Sequence, residues 1–104
     1  MTNPRVAICE YAAANGIQVF FNSMIEEGVT QAASLHTGAT CSNIVTTIGH
    51  AYFSPNRLNG DICSYHTFIH PEQGLVEVPN GPGLGIELDE VAIANYLVER
   101  IVAE

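Results

Sequence analysis

The stretch "PNGPGLGIELDE", residues 79–90, says more about the fold than any other part of the sequence. Four of the five positions Gly81–Gly85 are glycine or proline. The glycines alternate and do not match the G-x-G-x-x-G pattern of a dinucleotide-binding loop, and the chain has no lysine for a P-loop. Pro82 has no backbone N–H to offer a phosphate. We therefore expect a compact turn that uses glycines with positive φ, and not a phosphate-binding loop.

Regular elements are predicted on both sides of this turn. Residues 89–101 form an amphipathic pattern with Asp89 as a suitable N-cap, which predicts a terminal helix. Its apolar stripe comprises Val91, Ala94, Leu97, Val98 and Ile101. Before the turn, the runs 65–69 and 75–79 flank "HPEQG", so we expect a β-hairpin with a five-residue connection.

The N-terminal half alternates helix and strand patterns. Pro4 opens a predicted helix over 4–14, and apolar spacing predicts a second helix over 27–37. The β-branched and aromatic runs 17–21 and 43–49 predict buried strands. Strands that alternate with helices favour parallel pairing with a right-handed crossover. We expect a single domain over 1–104 of the α/β class, with α+β as the open alternative: a β-α-β core, a hairpin and a terminal helix.

The composition suggests a buried subunit interface. Hydrophobic residues make up 47% of the 104 residues, charged residues only 13%, and the mean hydropathy is +0.18. Because few charged side chains are available to cover a free surface, we expect a homo-oligomer, most simply a dimer. A monomer with an ordinary apolar surface remains the alternative.

The charge balance excludes some partners. Eleven acidic residues against three arginines give a formal net charge of −8, so we expect neither nucleic acid nor an anionic membrane as a partner. No secretory signal pattern and no apolar run of about 18 residues is present. The three cysteines form no C-x-x-C pair, so we expect reduced, buried thiols and a cytoplasmic location.

Two segments resemble the enolase superfamily, in particular its mandelate racemase and muconate lactonizing enzyme branch. "GLVEVPNGPGLGIELDEVAIANY", 74–96, is similar to the C-terminal segment of that branch, and "ANGIQVFFNSMIEEGVTQAASLHTGA", 14–39, resembles its seventh barrel strand and following helix. Within the latter, "SMIEEG", 23–28, resembles a met-x-glu-x-gly segment. The resemblance implies a partial (βα)-barrel that runs from the sixth helix to the eighth strand, "IVTTIG", followed by the C-terminal segment.

The resemblance also implies where the chemistry of the family lies. That family abstracts a proton next to a carboxylate and holds the enolate on Mg²⁺, with acidic ligands on the third to fifth strands and lysine bases on the second and sixth. This sequence has no counterpart of those strands and no lysine, and Asn22 occupies the place of a histidine base. We therefore expect no catalysis by this chain alone and no cofactor, with Mg²⁺ only if a barrel fragment completes the site. The resemblance assigns substrate-side contacts to Asn22, Ser23, Met24 and Glu26.

Two further positions are candidates for a small-ligand site. His50 follows the second strand, and with Asp61 it could form an acid–base pair in a pocket between subunits, although a surface histidine is the simpler interpretation. Cys41 has no local signature of a nucleophile, so we expect a packed or loop thiol.

Two functional hypotheses follow. In the first, the chain is a non-catalytic homo-oligomer with a binding or interaction role, derived from an enolase-type C-terminal fragment as a cryptic or mobile-element product. In the second, it is the C-terminal subunit or fragment of a Mg²⁺-dependent racemase, cycloisomerase or dehydratase that acts on a carboxylate substrate.

Overall fold

The computed structural model describes residues 3–22, 24, 26–45, 58–63, 69–70 and 72–103. Its regular elements, in chain order, are helix α1 (Pro4–Ala14), helix α2 (Gly28–Ala39), strand β1 (Ile69–His70), strand β2 (Leu75–Val76) and helix α3 (Glu90–Tyr96). None of the helices in this described part is long and apolar enough to cross a bilayer.

Helix α1 confirms the predicted helix over 4–14. Asn3 caps it, since its Oδ1 accepts a hydrogen bond from the backbone N–H of Arg5 at 2.9 Å, and Pro4 occupies the first turn. Beyond the helix, Gly16 adopts φ 68° and redirects the chain into the next segment. Helix α1 buries Cys9 and Ala12.

The two predicted strands of the N-terminal half pair in parallel at one point. Val19 and Ile44 form a parallel bridge, in which the N–H of Val19 donates to the carbonyl of Asn43 at 3.0 Å and the N–H of Val45 donates to Val19 at 2.8 Å. The parallel β-α-β connection is confirmed here, although the described residues form a bridge and not a full strand pair. Two parallel strands without neighbours do not make a stable sheet. Residues 46–49 of the predicted second strand lie outside the described residues.

Helix α2 is the packing centre of the described residues. The predicted helix over 27–37 is confirmed with shifted ends, because Glu27 is the N-cap and the helix runs to Ala39. Gln31, Ala32 and Leu35 are 1%, 0% and 5% exposed. A Cβ at Gly38 would lie 3.6 Å from the ring of Phe21, which is an ordinary van der Waals distance, so α2 packs against the strand segment at this position.

The predicted hairpin is present as a short antiparallel pair. Ile69 pairs with Val76 and His70 with Leu75, so the connection has four residues, 71–74, and not five. Gly74 adopts φ 64° in that connection. The remainder of the first predicted strand, 65–68, lies outside the described residues.

The glycine-rich stretch forms the turn that the sequence predicts. Gly83 and Gly85 adopt φ 63° and 72°, and the N–H of Gly85 donates to the carbonyl of Pro82 at 3.0 Å. A Cβ at Gly85 would lie 2.7 Å from the Cβ of the buried Pro79, so only glycine fits there. His36 Nε2 lies 3.0 Å from the carbonyl oxygen of Leu84, which joins the turn to α2.

Helix α3 is shorter than predicted. Asp89 is its N-cap, as expected, and accepts hydrogen bonds from the N–H groups of Val91 and Ala92 at 3.0 Å each. The helix ends at Tyr96 because Leu97 adopts φ −65° and ψ 121°, so the prediction of helix to 101 is wrong. The apolar stripe is largely exposed, since Val91, Leu97 and Val98 are 71%, 55% and 99% exposed, and a short helix with so little packing has little reason to extend.

Candidate functional site

A cavity lies where the segment 17–22 meets the beginnings of α1 and α2. Its volume is about 180 Å³. Eight residues line it: Arg5, Phe20, Phe21, Asn22, Glu26, Thr30, Gln31 and Ser34. In a strand–helix unit, the carboxyl end of the strand and the start of the following helix lie at the same end, and this is the end at which barrel enzymes place their active sites. The cavity therefore lies at the carboxyl end of the strand segment, beside the start of α2.

Two of the predicted substrate contacts, Asn22 and Glu26, come together in this cavity. Asn22 is exposed and follows the strand segment directly. The Oε2 atom of Glu26 accepts a hydrogen bond from the N–H of Met24 at 2.6 Å and lies 3.4 Å from Nε2 of Gln31. Glu26 thereby fixes the turn that leads into α2, which is a structural role in addition to any contact with a ligand.

The other two predicted contacts are placed differently. Met24 is 77% exposed and is not among the cavity-lining residues, although its backbone is held by Glu26. Ser23 lies outside the described residues. The predicted group of four is thus represented in the cavity by two side chains that the structure describes.

Arg5 is a cavity-lining residue that sequence reasoning missed. It lies in the first turn of α1 and lines the cavity beside Asn22 and Glu26. It also lines a neighbouring apolar cavity of about 200 Å³ with Ile8 and Phe20. A signal was available, because Arg5 is one of only three cationic side chains in an otherwise acidic chain. The cavity can therefore offer a guanidinium, an amide and a carboxylate to a polar ligand.

The described residues do not fit Mg²⁺ without further ligands. Glu26 is the only acidic residue among those lining the cavity, whereas Mg²⁺ demands octahedral oxygen coordination. Across the described ranges, no three His, Cys, Asp or Glu side chains are grouped so that they could hold a metal ion.

Asp61 lies at the N-terminus of α2 and not in the cavity. Both of its carboxylate oxygens accept from the N–H of Gly28, at 2.8 and 3.1 Å, and Oδ1 lies 3.3 Å from the N–H of Cys63. A carboxylate at this position satisfies an unpaired N–H and opposes the positive end of the helix dipole. His50, its predicted partner, lies outside the described residues, so the pairing stays a prediction.

The Cys63 thiol is part of the same contact. It is 4% exposed and its Sγ lies 3.4 Å from Oδ1 of Asp61. Burial, followed by the hydrogen bond to Asp61, raises the pKa of this thiol to about 12. Cys63 is therefore a neutral packed thiol at physiological pH.

The architecture is that of an α/β protein. A β-α-β unit carries a polar cavity at the carboxyl end of its first strand segment and is followed by a hairpin, a glycine turn and a short helix. Comparison with known families identifies the family. The model of the family described as enolase C-terminal domain-like matches residues 2–92, and the chain belongs to that family. This confirms the resemblance inferred from the two sequence segments.

Two curated relatives are cycloisomerases. The chain is 28% identical over 93 residues to a chloromuconate cycloisomerase from Cupriavidus pinatubonensis, a match that covers 89% of this chain. It is 30% identical over 95 residues to muconate cycloisomerase 1-1 from Acinetobacter lwoffii, which covers 91% of this chain. In both cases the match spans only 24% of the relative, so this chain corresponds to about a quarter of each relative's length.

Proposed function

We propose that this chain forms one wall of the substrate pocket in an enolase-type barrel, and that it does not catalyse the reaction by itself. The observation that carries the proposal is the cavity lined by Arg5, Asn22 and Glu26, which lies at the carboxyl end of the parallel-paired segment. Barrel enzymes assemble their active sites at that end from several different strands. One β-α-β unit supplies only part of such a site.

The exposed apolar residues of the strand segment support the need for neighbours. Ile17 and Phe20 are 56% and 53% exposed on either side of the bridge residue Val19. Parallel strands are normally buried on both faces by helices and by the barrel interior. Further parallel strands would cover these side chains. The match covers only 24% of each relative, so the rest of such a protein is long enough to supply those strands.

The ligand class follows from the lining of the cavity and from the relatives. Arg5 and Asn22 supply a cationic and a neutral donor, and a guanidinium binds a carboxylate through two parallel hydrogen bonds. The two relatives are named for muconate and chloromuconate. We infer that a carboxylate substrate of the muconate type contacts this wall, and that the rest of the barrel supplies Mg²⁺ ligands and base.

A chimera tests this proposal. The chain is fused in place of the matched region of the Acinetobacter lwoffii muconate cycloisomerase 1-1, and turnover of muconate is measured with and without Mg²⁺. We expect Mg²⁺-dependent turnover by the chimera and none by the chain alone. In the chimera, Asn22→Ala lowers kcat/KM by roughly tenfold, since it removes one hydrogen bond to the substrate.

The matched control for that variant is Asn15→Ala. Asn15 is also an exposed asparagine, but its Nδ2 donates to the carbonyl of Tyr11 at the far end of α1, so turnover should not change. Equal activity of the two variants would show that the cavity is not a substrate wall. Proton exchange next to a carboxylate by the isolated chain with Mg²⁺ would overturn the proposal that it is not a catalyst.

A second candidate function is a non-catalytic homo-oligomer. It is favoured by the exposed apolar residues of the C-terminal segment, where Val98, Ile101 and Val102 are 99%, 84% and 74% exposed. We rank it second because a two-fold axis that pairs an edge strand with its own copy makes the pair antiparallel, whereas the family implies parallel neighbours. Sedimentation velocity at micromolar concentration separates the two: a stable dimer that Val98→Asp dissociates supports the homo-oligomer, and a monomer excludes it.

A further inference from the structure

Two thiols that are far apart in the sequence meet beside α1. Cys9 lies on the buried side of α1 and is 7% exposed, whereas Cys41 follows α2 and is half-buried. Both line a small cavity of about 30 Å³ between α1 and the residues that follow α2. The cavity leaves space for the sulfur atoms to move.

The contacts hold the two cysteines next to each other. The Cys9 and Cys41 side chains are close enough to interact electrostatically, and Sγ of Cys41 donates to the carbonyl oxygen of Thr37 at 3.3 Å. Nδ2 of Asn43 lies 2.8 Å from the carbonyl oxygen of Ile17 and 3.4 Å from that of Cys9. Asn43 thus ties the backbone beside Cys41 to the backbone of Cys9. Because both residues line the same small cavity, side-chain rotation with a small backbone shift would bring the thiols to the S–S length of about 2 Å.

We propose that Cys9 and Cys41 are a redox modification site that closes to an intrachain disulfide in the presence of a low-molecular-weight disulfide such as oxidised glutathione. In the first step the Cys41 thiolate attacks one sulfur of the reagent, forms a mixed disulfide and releases one glutathione thiolate. In the second step the Cys9 thiolate attacks the Cys41 sulfur and releases the second glutathione thiolate. Both protein thiols lose their protons, two electrons pass to the reagent, and two glutathione thiols are produced.

The order of the steps follows from exposure. Cys41 is the more accessible thiol and meets the reagent first, while the buried Cys9 resolves the mixed disulfide. Burial, followed by the influence of the neighbouring Cys9 thiol, raises the pKa of the Cys41 thiol to about 11. The thiolate is therefore scarce at neutral pH, and the rate of closure should rise about tenfold per pH unit below that value.

Cys63 is excluded from this chemistry by position. It contacts Asp61, which caps the N-terminus of α2, whereas Cys41 follows the C-terminus of the same helix. A helix of 12 residues is about 18 Å long, far beyond disulfide reach. In an unfolded chain Cys41 would pair more readily with Cys63 than with Cys9. Cys41 and Cys63 are closer in sequence, so closing the loop between them costs less entropy.

Formation of the disulfide would link α1 covalently to the residues that follow α2. The strand segment 17–21 would then lie within the covalent loop that the disulfide closes. Since a cross-link restricts the unfolded chain, the melting temperature should rise by roughly 10 °C or more.

The experiment oxidises the reduced chain with oxidised glutathione at pH 9, with and without urea. Remaining thiols are alkylated, and peptides are mapped by mass spectrometry. We expect a Cys9–Cys41 cross-linked peptide with Cys63 alkylated in native buffer, and a shift toward Cys41–Cys63 pairing in urea. The Cys63→Ser variant should close at an unchanged rate, and the reductant dithiothreitol should reverse the rise in melting temperature.

Two variants complete the test. In Cys9→Ser the Cys41–glutathione mixed disulfide should accumulate, and in Cys41→Ser the buried Cys9 should remain unmodified in native buffer. Accumulation of the mixed disulfide in the unmodified chain, or native cross-links that contain Cys63, would overturn the proposal. A Cys9–Cys41 yield no higher in native buffer than in urea would do the same, since the fold would then not be bringing the thiols together.

Discussion

Helices α2 and α3 differ in what covers them. In α2 the side chains of Gln31, Ala32 and Leu35 are at most 5% exposed, and the strand segment, Asp61 and the glycine turn all contact it. Helix α3 has no buried residue, and Val91 is 71% exposed. Yet the sequence of α3 has the clearer apolar stripe, whereas α2 is rich in small and polar residues. An apolar stripe indicates that a surface will be covered, but not by what.

The two helices also differ in how they begin. Asp89 lies next to α3 in the chain and caps it locally. Asp61 caps α2 by accepting a hydrogen bond from the N–H of Gly28, which lies 33 residues earlier in the chain. This cap therefore forms only when the tertiary structure forms. The side-chain cap of α2 thus depends on a long-range contact, whereas the side-chain cap of α3 is local, although the N–H of Asp89 also donates to the carbonyl oxygen of Ile62 at 2.7 Å. The predictions below test that difference.

The largest effect is expected from Leu35→Ala. Leu35 is 5% exposed in α2, and truncation of a buried leucine leaves a cavity, so the free energy of unfolding should fall by roughly 2–4 kcal/mol. The matched control is Val98→Ala, at a site that is 99% exposed, with an expected change below about 0.5 kcal/mol. Urea unfolding followed by circular dichroism measures both. Equal losses would mean that the C-terminal segment is packed in solution.

The next effect is expected in the turn that contacts α2. Gly85→Ala should cost about 2–3 kcal/mol, because φ is 72° and the new Cβ would meet Pro79 at 2.7 Å. Gly83→Ala has a similar φ but open space around its Cβ, so only about 1 kcal/mol is expected. The difference between the melting temperatures of the two variants measures the contribution of the contact with Pro79. Equal melting temperatures would show that Gly85 does not pack against Pro79.

A smaller effect is expected from the two caps. Asp61→Ala should lower the free energy of unfolding by about 1–2 kcal/mol, since it removes a charged cap from the central helix. Asp89→Ala should lower it by less than about 1 kcal/mol, because α3 contributes no buried residue. Chemical denaturation of both variants in low salt gives the comparison, and a larger loss for Asp89→Ala would reverse the ranking of the helices.

The smallest effect at neutral pH concerns the thiols at the two ends of α2. The pKa values of Cys41 and Cys63 are raised from 9.0 to about 11 and about 12, so the fold favours the neutral thiols. Their contribution to stability is fully present below pH 9 and is lost as pH rises toward 11–12. Melting temperatures of the unmodified chain and Cys63→Ser from pH 7 to 11 check this. The variant should lose less stability above pH 9, and identical profiles would contradict the raised pKa of Cys63.

Local patterns in the sequence predicted much of the fold. The start of α1 at Pro4, the Asp89 cap and the glycine turn are decided by neighbouring residues, and each was predicted correctly. The end of α3 and the register of the hairpin were not, because these depend on packing against other parts of the protein. The same division applies to the site: the family resemblance marked Asn22, but Arg5 reaches the cavity only when α1 folds against the strand segment.

The sequence by itself determined the family, the parallel β-α-β order and the turn. These features depend on the spacing of apolar residues that are close in the chain, and on glycines and prolines, which favour the backbone angles of a turn. The tertiary structure alone decided that Arg5 joins Asn22 and Glu26, that Asp61 caps α2 and that Cys9 and Cys41 line one cavity. Each of these contacts joins residues that are distant in the chain. Their proximity is fixed by how helices and strands pack, which no local pattern encodes.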